Sequence, residues 1–339
     1  MLLIIGLGSL LWHVGAAHTG SDFGRTLQRQ MGHVAWEGLS VYDLIFPLFV
    51  YIAGISQNFS LRKRLDNGSN RLSIALHMWL RAAILIVLGW MVNGPLTWDA
   101  NMRFASVLGL IGLSGALSGT LVLLLRSSGK LLSAAILLLG GIWAAQYWGG
   151  EMTPSACVNA RIDTLLCPGK LHNIHYDPEG VLCVISATAL SLLGYLSGRQ
   201  FSHALSPTKR LLLLAGGGAC LIFIGQLCGP VIKNIWTPAF VLVAAGTGAL
   251  LLSVLHLVCD IMRLQTWTYP LRVVGANALF VYLITHITAF NELNERLFGG
   301  LLRAILPHDW LNIGYSLTFL LLAWLLCLYL YRRDIYIRV

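Results

Sequence analysis

"GHVAWEGLSVYDLIFPLFVYIAG" occupies residues 32–54. From Leu44 onward it is almost entirely apolar and reads as the start of a membrane span. Its front end instead holds His33, Trp36, Glu37 and Asp43, at the level where lipid would begin. Ser40-Val-Tyr-Asp43 has capping-box spacing, with Asp in place of the usual Glu, so Asp43 can satisfy backbone donors at a helix start. Pro47 has no N–H, which leaves the Asp43 carbonyl without its helical partner. His33 lies seven residues before the cap, in a loop. A loop histidine is most simply a solvated one, yet imidazole is the side chain best suited to taking a proton near neutral pH.

The rest of the chain explains the apolar half. Hydrophobic residues make up 57% of the 339 and charged residues 11%, less than half the charge of an average soluble domain. Mean hydropathy is +0.73. This composition excludes an ordinary soluble protein, and the apolar runs have the length of helices rather than barrel strands. The fold class expected is all-α, a polytopic membrane protein forming a single domain. Ten apolar segments are legible, at about 1–17, 40–61, 72–93, 104–125, 131–148, 181–198, 211–231, 237–258, 271–290 and 311–331. The first begins at Met1 with no polar leader, as though its helix were truncated. No repeat, low-complexity tract or soluble domain interrupts them. The glycine-rich "AGGGAC" and "AAGTGALL" lie inside spans and read as close helix packing, not phosphate loops.

A net charge of +9 would suggest nucleic acid in a soluble protein. Here the charges sit in short loops, and topology accounts for them. The even-numbered loops and the C-terminal tail, Arg338 included, hold fourteen of the 23 Lys and Arg residues; the odd-numbered loops hold eight, and Arg81 lies inside a span. This bias puts the C-terminus in the cytoplasm and loops 18–39 and 149–180 outside. The seven cysteines show no metal-binding spacing. Cys157 and Cys167 share the one long loop, which makes them the single disulfide candidate.

Other polar residues sit where lipid should be. In "HYDPEGVL", 175–182, Asp177 can cap a helix, Pro178 suits its first position and Glu179 suits the positive end of its dipole. These carboxylates fall at the same outer level as His33 and Asp43, which suggests a shared polar cavity. Arg81 lies well inside a span. It must snorkel, or face a cavity and hold an anion. Asn277 and His286 interrupt another span. On one straight helix, nine residues put them about 13.5 Å apart on nearly opposite faces, and His286 is the better site candidate. In "KNIWTPAFVL", Asn234 and Thr237 are turn and cap residues, and Trp236 belongs to the interfacial aromatic class.

Taken in order, these pieces resemble the heparan-α-glucosaminide N-acetyltransferase family and its bacterial relatives. His33, Trp36, Gly38, Asp43, Leu44, Pro47, Phe49 and Gly54 match the family's first signature. "YDPEGVL", "IKNIWTPAFVLVAAG" and "YPLRVVGANALFVYLITHI" are similar to three later ones. The chain departs from the pattern in three places. The family's opening Asp-x-x-Arg-Gly has no counterpart, "RFASVLGLIG" keeps only Arg103 of an Arg-Ile-Pro-Gly-Val-Leu-Gln-Arg segment, and no large luminal domain is present. The last of these favours a small amino sugar over a polymer.

The resemblance implies a membrane-embedded acyltransferase in the bacterial cytoplasmic membrane. Acetyl would pass from cytoplasmic acetyl-CoA, the cosubstrate, to the amine of a glucosamine-like sugar on the far side. Neither a metal nor nucleic acid is implied, and a homodimer is allowed. The family's essential histidine falls at His33, a general base or acetyl carrier. Asp43 or Glu179 would orient it. Arg81 would hold the CoA phosphates. Asn277 would sit with Arg81 at the cofactor; the oxyanion donors are not legible in the sequence, and Asn277 and Trp36 are the candidates for them. Trp36, Asp177 and His286 would line the sugar site. The same layout, with a kinked helix and intramembrane Arg and His, would also suit a proton-coupled amino-sugar permease.

Overall fold

The computed structural model describes residues 1–94, 96, 101–202 and 204–337. Arg338 lies outside the described residues. Within them the chain is helical, and pairing in the manner of strands is limited to two isolated bridges. The helices are α1 (Leu3–Ala17), α2 (Asp22–Gln30), α3 (Tyr42–Asp66), α4 (Arg71–Asn93), α5 (Val107–Leu125), α6 (Ser128–Trp148), α7 (Val158–Leu166), α8 (Val181–Ser202), α9 (Pro207–Leu227), α10 (Pro238–Ile261), α11 (Thr266–Ala276), α12 (Ala278–Ile287), α13 (Phe290–Ile305) and α14 (His308–Arg332). Eight of them are long and apolar enough to cross a membrane, and α11 with α12 forms an apolar pair bent by 59°, the form of a broken span or a re-entrant loop. This is an integral membrane protein.

The sequence suggests ten segments. The difference lies in the first, where Gly6 at φ +135° and a non-helical Ile5 kink α1. Gly6 sits where a side chain would press on Leu320. The bend at Asn277, with φ −125° and ψ +37°, means that Asn277 and His286 do not share one straight helix. The break therefore frees them from lying on opposite faces of one helix.

The residues fall into two compact units: Met1–Val34 with Ser40–Ile45 and Leu264–Val339, and Ala35–Leu39 with Phe46–Arg263. The first has a core of Ile5, Val273, Val274, Val281, Phe290, Ala323 and Cys327. In the second, α8 is the central helix, with two thirds of its span buried, and it packs on α5, α6 and α10. α4 and α9 lie outside and keep most of their surface exposed. Along α4, Leu72, Leu76 and Leu80 recur every fourth residue, each at least 60% exposed. Such a stripe is adapted to acyl chains rather than to water.

Small residues bring the central helices together, as expected where lipid tails give no hydrophobic drive for helix pairing. A Cβ on Gly54 would come within 2.1 Å of the Ser191 carbonyl oxygen, and one on Gly194 within 2.1 Å of the Tyr51 carbonyl oxygen. α3 and α8 thus meet backbone to backbone. Gly218 of α9 likewise packs on Gly246 of α10, so the glycine-rich stretches are packing surfaces as read from sequence. Trp236 departs from its reading. It is 1% exposed, takes a left-handed φ of +47°, and packs edge-on against Phe46 and Phe240, so it belongs to the core and not to an interfacial belt.

The Gly194→Ala variant should be destabilised by about 1–3 kcal/mol, because main-chain atoms must move to admit one methyl group. Thermal unfolding in detergent measures it, with Gly216→Ala, whose Cβ meets nothing within 4 Å, as the unperturbed comparison.

Candidate active site

The capping box forms as its spacing suggests. The Ser40 N–H donates to Asp43 Oδ2 at 3.3 Å, and the Asp43 N–H donates to Ser40 Oγ at 3.2 Å. Val34 adds its N–H to Oδ2 at 3.2 Å, and the Ser40 hydroxyl lies 2.9 Å from the same oxygen. The other oxygen, Oδ1, is 2.7 Å from His33 Nδ1. Asp43 is 1% exposed, while the His33 side chain is 58% exposed. A carboxylate acceptor fixes the tautomer: Nδ1 carries hydrogen and the basic lone pair of neutral imidazole is on Nε2. The Tyr42 ring packs against the imidazole at 5.0 Å between centroids. Gly8 makes room for that ring, since a Cβ there would stand 2.7 Å from it. The result is an oriented, accessible base on a buried acid.

Asp177 and Glu179 belong to the other compact unit, where both converge on Arg103. Arg103 donates from Nε and from one terminal nitrogen to Asp177 at 2.8 and 2.6 Å, and it also bonds Glu179. The N–H groups of His172 and Glu179 complete the shell of Asp177. Four donors saturate a carboxylate, so Asp177 keeps no capacity for a substrate and is a structural anchor, contrary to its expected binding role. It accepts the Glu179 N–H, but α8 begins at Val181, so this bond closes a turn ahead of the helix and does not cap it.

Asp163 lies beneath them and is not singled out by the sequence. Its carboxylate accepts the N–H groups of Asp177 and Val181 at 3.1 Å each, stitching α7 to the start of α8. Gly180 gives it room, as a Cβ there would fall 2.2 Å from its oxygen. Burial raises Asp163 to about 6 despite the two N–H donors. Burial also raises Glu179 to about 7; the attraction of Arg103 opposes this and the charge of Asp177 adds to it. Asp177 moves the other way: burial would raise it, but its bonds and charge attraction with Arg103 outweigh that and hold it low. The guanidinium thus holds the one carboxylate low, while burial raises the other toward neutrality.

The remaining expected residues are placed otherwise. Trp36 donates its indole N–H to the Met152 carbonyl at 2.8 Å, which removes it as an oxyanion donor, and its ring meets Tyr176 edge-on at 5.3 Å. Asn277 is wholly buried, donating to the Ile335 carbonyl and accepting from the Ile337 N–H. Its amide holds the C-terminal tail, not a cofactor. Arg81 is exposed on α4 and makes no hydrogen bond or ion pair among the described residues, the arrangement of a snorkelling side chain rather than a phosphate grip. His286 is exposed, with Nδ1 on the Tyr282 carbonyl at 2.8 Å. Cys157 and Cys167 are both free. They flank α7, and a nine-residue helix separates its ends by about 13 Å, too far for a disulfide.

Because the folded-state value of Glu179 lies above its ordinary 4.5, the folded protein holds the extra proton between pH 4.5 and about 7. Stability from this group is therefore full below that interval and lost as pH rises through it. The Glu179→Gln variant cannot titrate. The melting temperature of wild type should fall relative to Glu179→Gln between pH 4.5 and 7 and run parallel to it above, a change on the order of 1–3 kcal/mol. Parallel curves throughout would remove the proton from Glu179.

The chain is similar in sequence to two known proteins. The heparan-α-glucosaminide N-acetyltransferases of Homo sapiens and Mus musculus are each 26% identical to the chain, over 74% of its length and 48% of theirs. The chain thus spans about half the length of these curated relatives. No protein-family model matches it. On this sequence likeness, the chain is a distant relative of the heparan-α-glucosaminide N-acetyltransferase family.

Proposed function

We propose that this chain is a membrane-embedded N-acetyltransferase, moving acetyl from acetyl-CoA on the cytoplasmic side to the amine of a glucosamine-like sugar on the opposite face. The observation that carries the reading is the exposed His33 imidazole held by the buried Asp43 at 2.7 Å. The reading includes a bacterial cytoplasmic membrane and a cytoplasmic C-terminus, supported by the family resemblance and by the Lys and Arg bias of the loops.

In this reading the neutral amine attacks the thioester carbonyl. Nε2 of His33 takes the proton that the nitrogen loses, and Asp43 stabilises the imidazolium so formed. Collapse of the tetrahedral intermediate breaks the carbon–sulfur bond, and the CoA thiolate leaves and is protonated. Asp43 therefore serves as the orienting partner of the imidazole. Glu179, titrating near neutrality beside Arg103, is a second group suited to carrying a proton. Trp36, edge-on to Tyr176, offers the sugar an apolar ring surface.

The transport reading draws on the broken span at Asn277, since discontinuous helices often line transporter sites. The Asn277 amide is bonded to the tail, which weakens that argument. Proteoliposomes with acetyl-CoA on one side and glucosamine on the other separate the two. Acyl transfer gives thiol release that requires the sugar and falls on the order of 10²–10⁴-fold in His33→Ala. Accumulation of labelled glucosamine without acetyl-CoA, and no thiol release, would replace the proposal with transport.

A further inference from the structure

We propose that the arginine-lined cavity at the end of the bundle formed by α3, α4, α5 and α8 binds a phosphate group. Arg62, Arg71, Arg126 and Arg199 line this cavity of about 360 Å³, and Asp66 is the one carboxylate among its lining residues. In sequence the four are scattered over three separate loops, where they look like ordinary topology-setting charges. The fold gathers them into one concavity.

Helix ends, not acids, hold three of the four guanidinium groups. Arg71 donates to the Leu123 carbonyl at 3.2 Å, Arg199 to the Arg126 carbonyl at 3.1 Å, and Arg62 to the Ser202 carbonyl at 2.8 Å. These oxygens belong to the last turn of α5, to the residue that caps it and to the last turn of α8, where carbonyls have no helical partner. Each bond fixes a side chain while leaving its charge uncompensated and its other N–H groups available. Arg126 stands at φ +57°, a left-handed conformation uncommon for a side chain of this size, at the turn that presents its carbonyl to Arg199. Arg62 meets Asp66 only at 3.7 Å, with both side chains more than half exposed, so that pair neutralises little.

Charges that serve topology alone can spread outward into headgroups and water. Four that line one concavity with a single carboxylate repel one another and call for an anion. The guanidinium fork matches phosphate oxygens in pairs. A second cavity, of about 450 Å³, shares Arg62, Asp66 and Ser202 and adds Lys63, which extends the basic floor. The ligand class is a phosphomonoester or pyrophosphate, carried either by a soluble molecule or by an anionic phospholipid headgroup. The site does not depend on the acetyl-transfer reading.

The test uses the full chain in phosphatidylcholine nanodiscs, titrated with inorganic pyrophosphate by calorimetry. Saturable binding is expected, weakened about tenfold or more in Arg199→Gln and in Arg71→Gln, less in Arg199→Lys, and unchanged in Lys209→Gln, which lies outside the lining. Repeating the titration in discs containing phosphatidylglycerol identifies the source. Competition by the lipid assigns the site to headgroups, and undiminished binding assigns it to a soluble phosphate. Absence of saturable pyrophosphate binding in phosphatidylcholine discs, or equal affinity in wild type and monodisperse arginine variants, overturns the proposal. His33→Ala should bind pyrophosphate as wild type does, so failure of transfer and failure of this site read out separately.

Discussion

A carboxylate at the mouth of a membrane span persists only if its lone pairs are occupied, because hydrocarbon offers no water to do it. Asp43 meets that condition through backbone N–H groups, a serine hydroxyl and an imidazole. The constraint has a chemical by-product. The bond from His33 to the other carboxylate oxygen fixes the histidine's tautomer, so one residue both starts a helix and orients a base. Asp177 solves the same problem with a guanidinium and two N–H groups. Its neighbour Glu179 shares the same guanidinium, and burial is what raises its proton affinity despite that pairing.

Much of the architecture is legible in the chain because lipid imposes a coarse rule. Runs such as 72–93 and 181–198 must be helices, and the capping box at Ser40–Asp43 and the Thr237 cap follow from local chemistry, as the bond from the Phe240 N–H to Thr237 Oγ1 bears out. Breaks inside spans are harder to read. Gly6 and Asn277 resemble tolerated polar or small residues until tertiary partners, Leu320 for one and the tail for the other, are known. Trp236 carries the composition of an interfacial residue, yet a left-handed turn folds it inward.

The candidate site divides along the same line. The His33–Asp43 pairing spans ten residues and a capping motif, so sequence can suggest it. Arg103 with Asp177 and Glu179 spans more than seventy, and Asp163 gives no signal beyond being an acid in a short helix. The arginine roles turn on position rather than on type. Arg81 attracts notice because it sits in a span, while Arg71 and Arg199 look routine, and the fold reverses their interest.

The bend at Asn277 is closed by the backbone of Ile335 and Ile337, fifty-eight and sixty residues further on. Chain synthesis therefore reaches this break long before its partners exist. At roughly 5–20 residues per second, the side-chain amide waits about 3–12 s before its final partners are made. Folding of this span is thus vectorial in an unusual sense. Insertion proceeds from the N-terminal side, but the bent span is completed only when the tail returns to it, which makes the interval between the two a window for quality control.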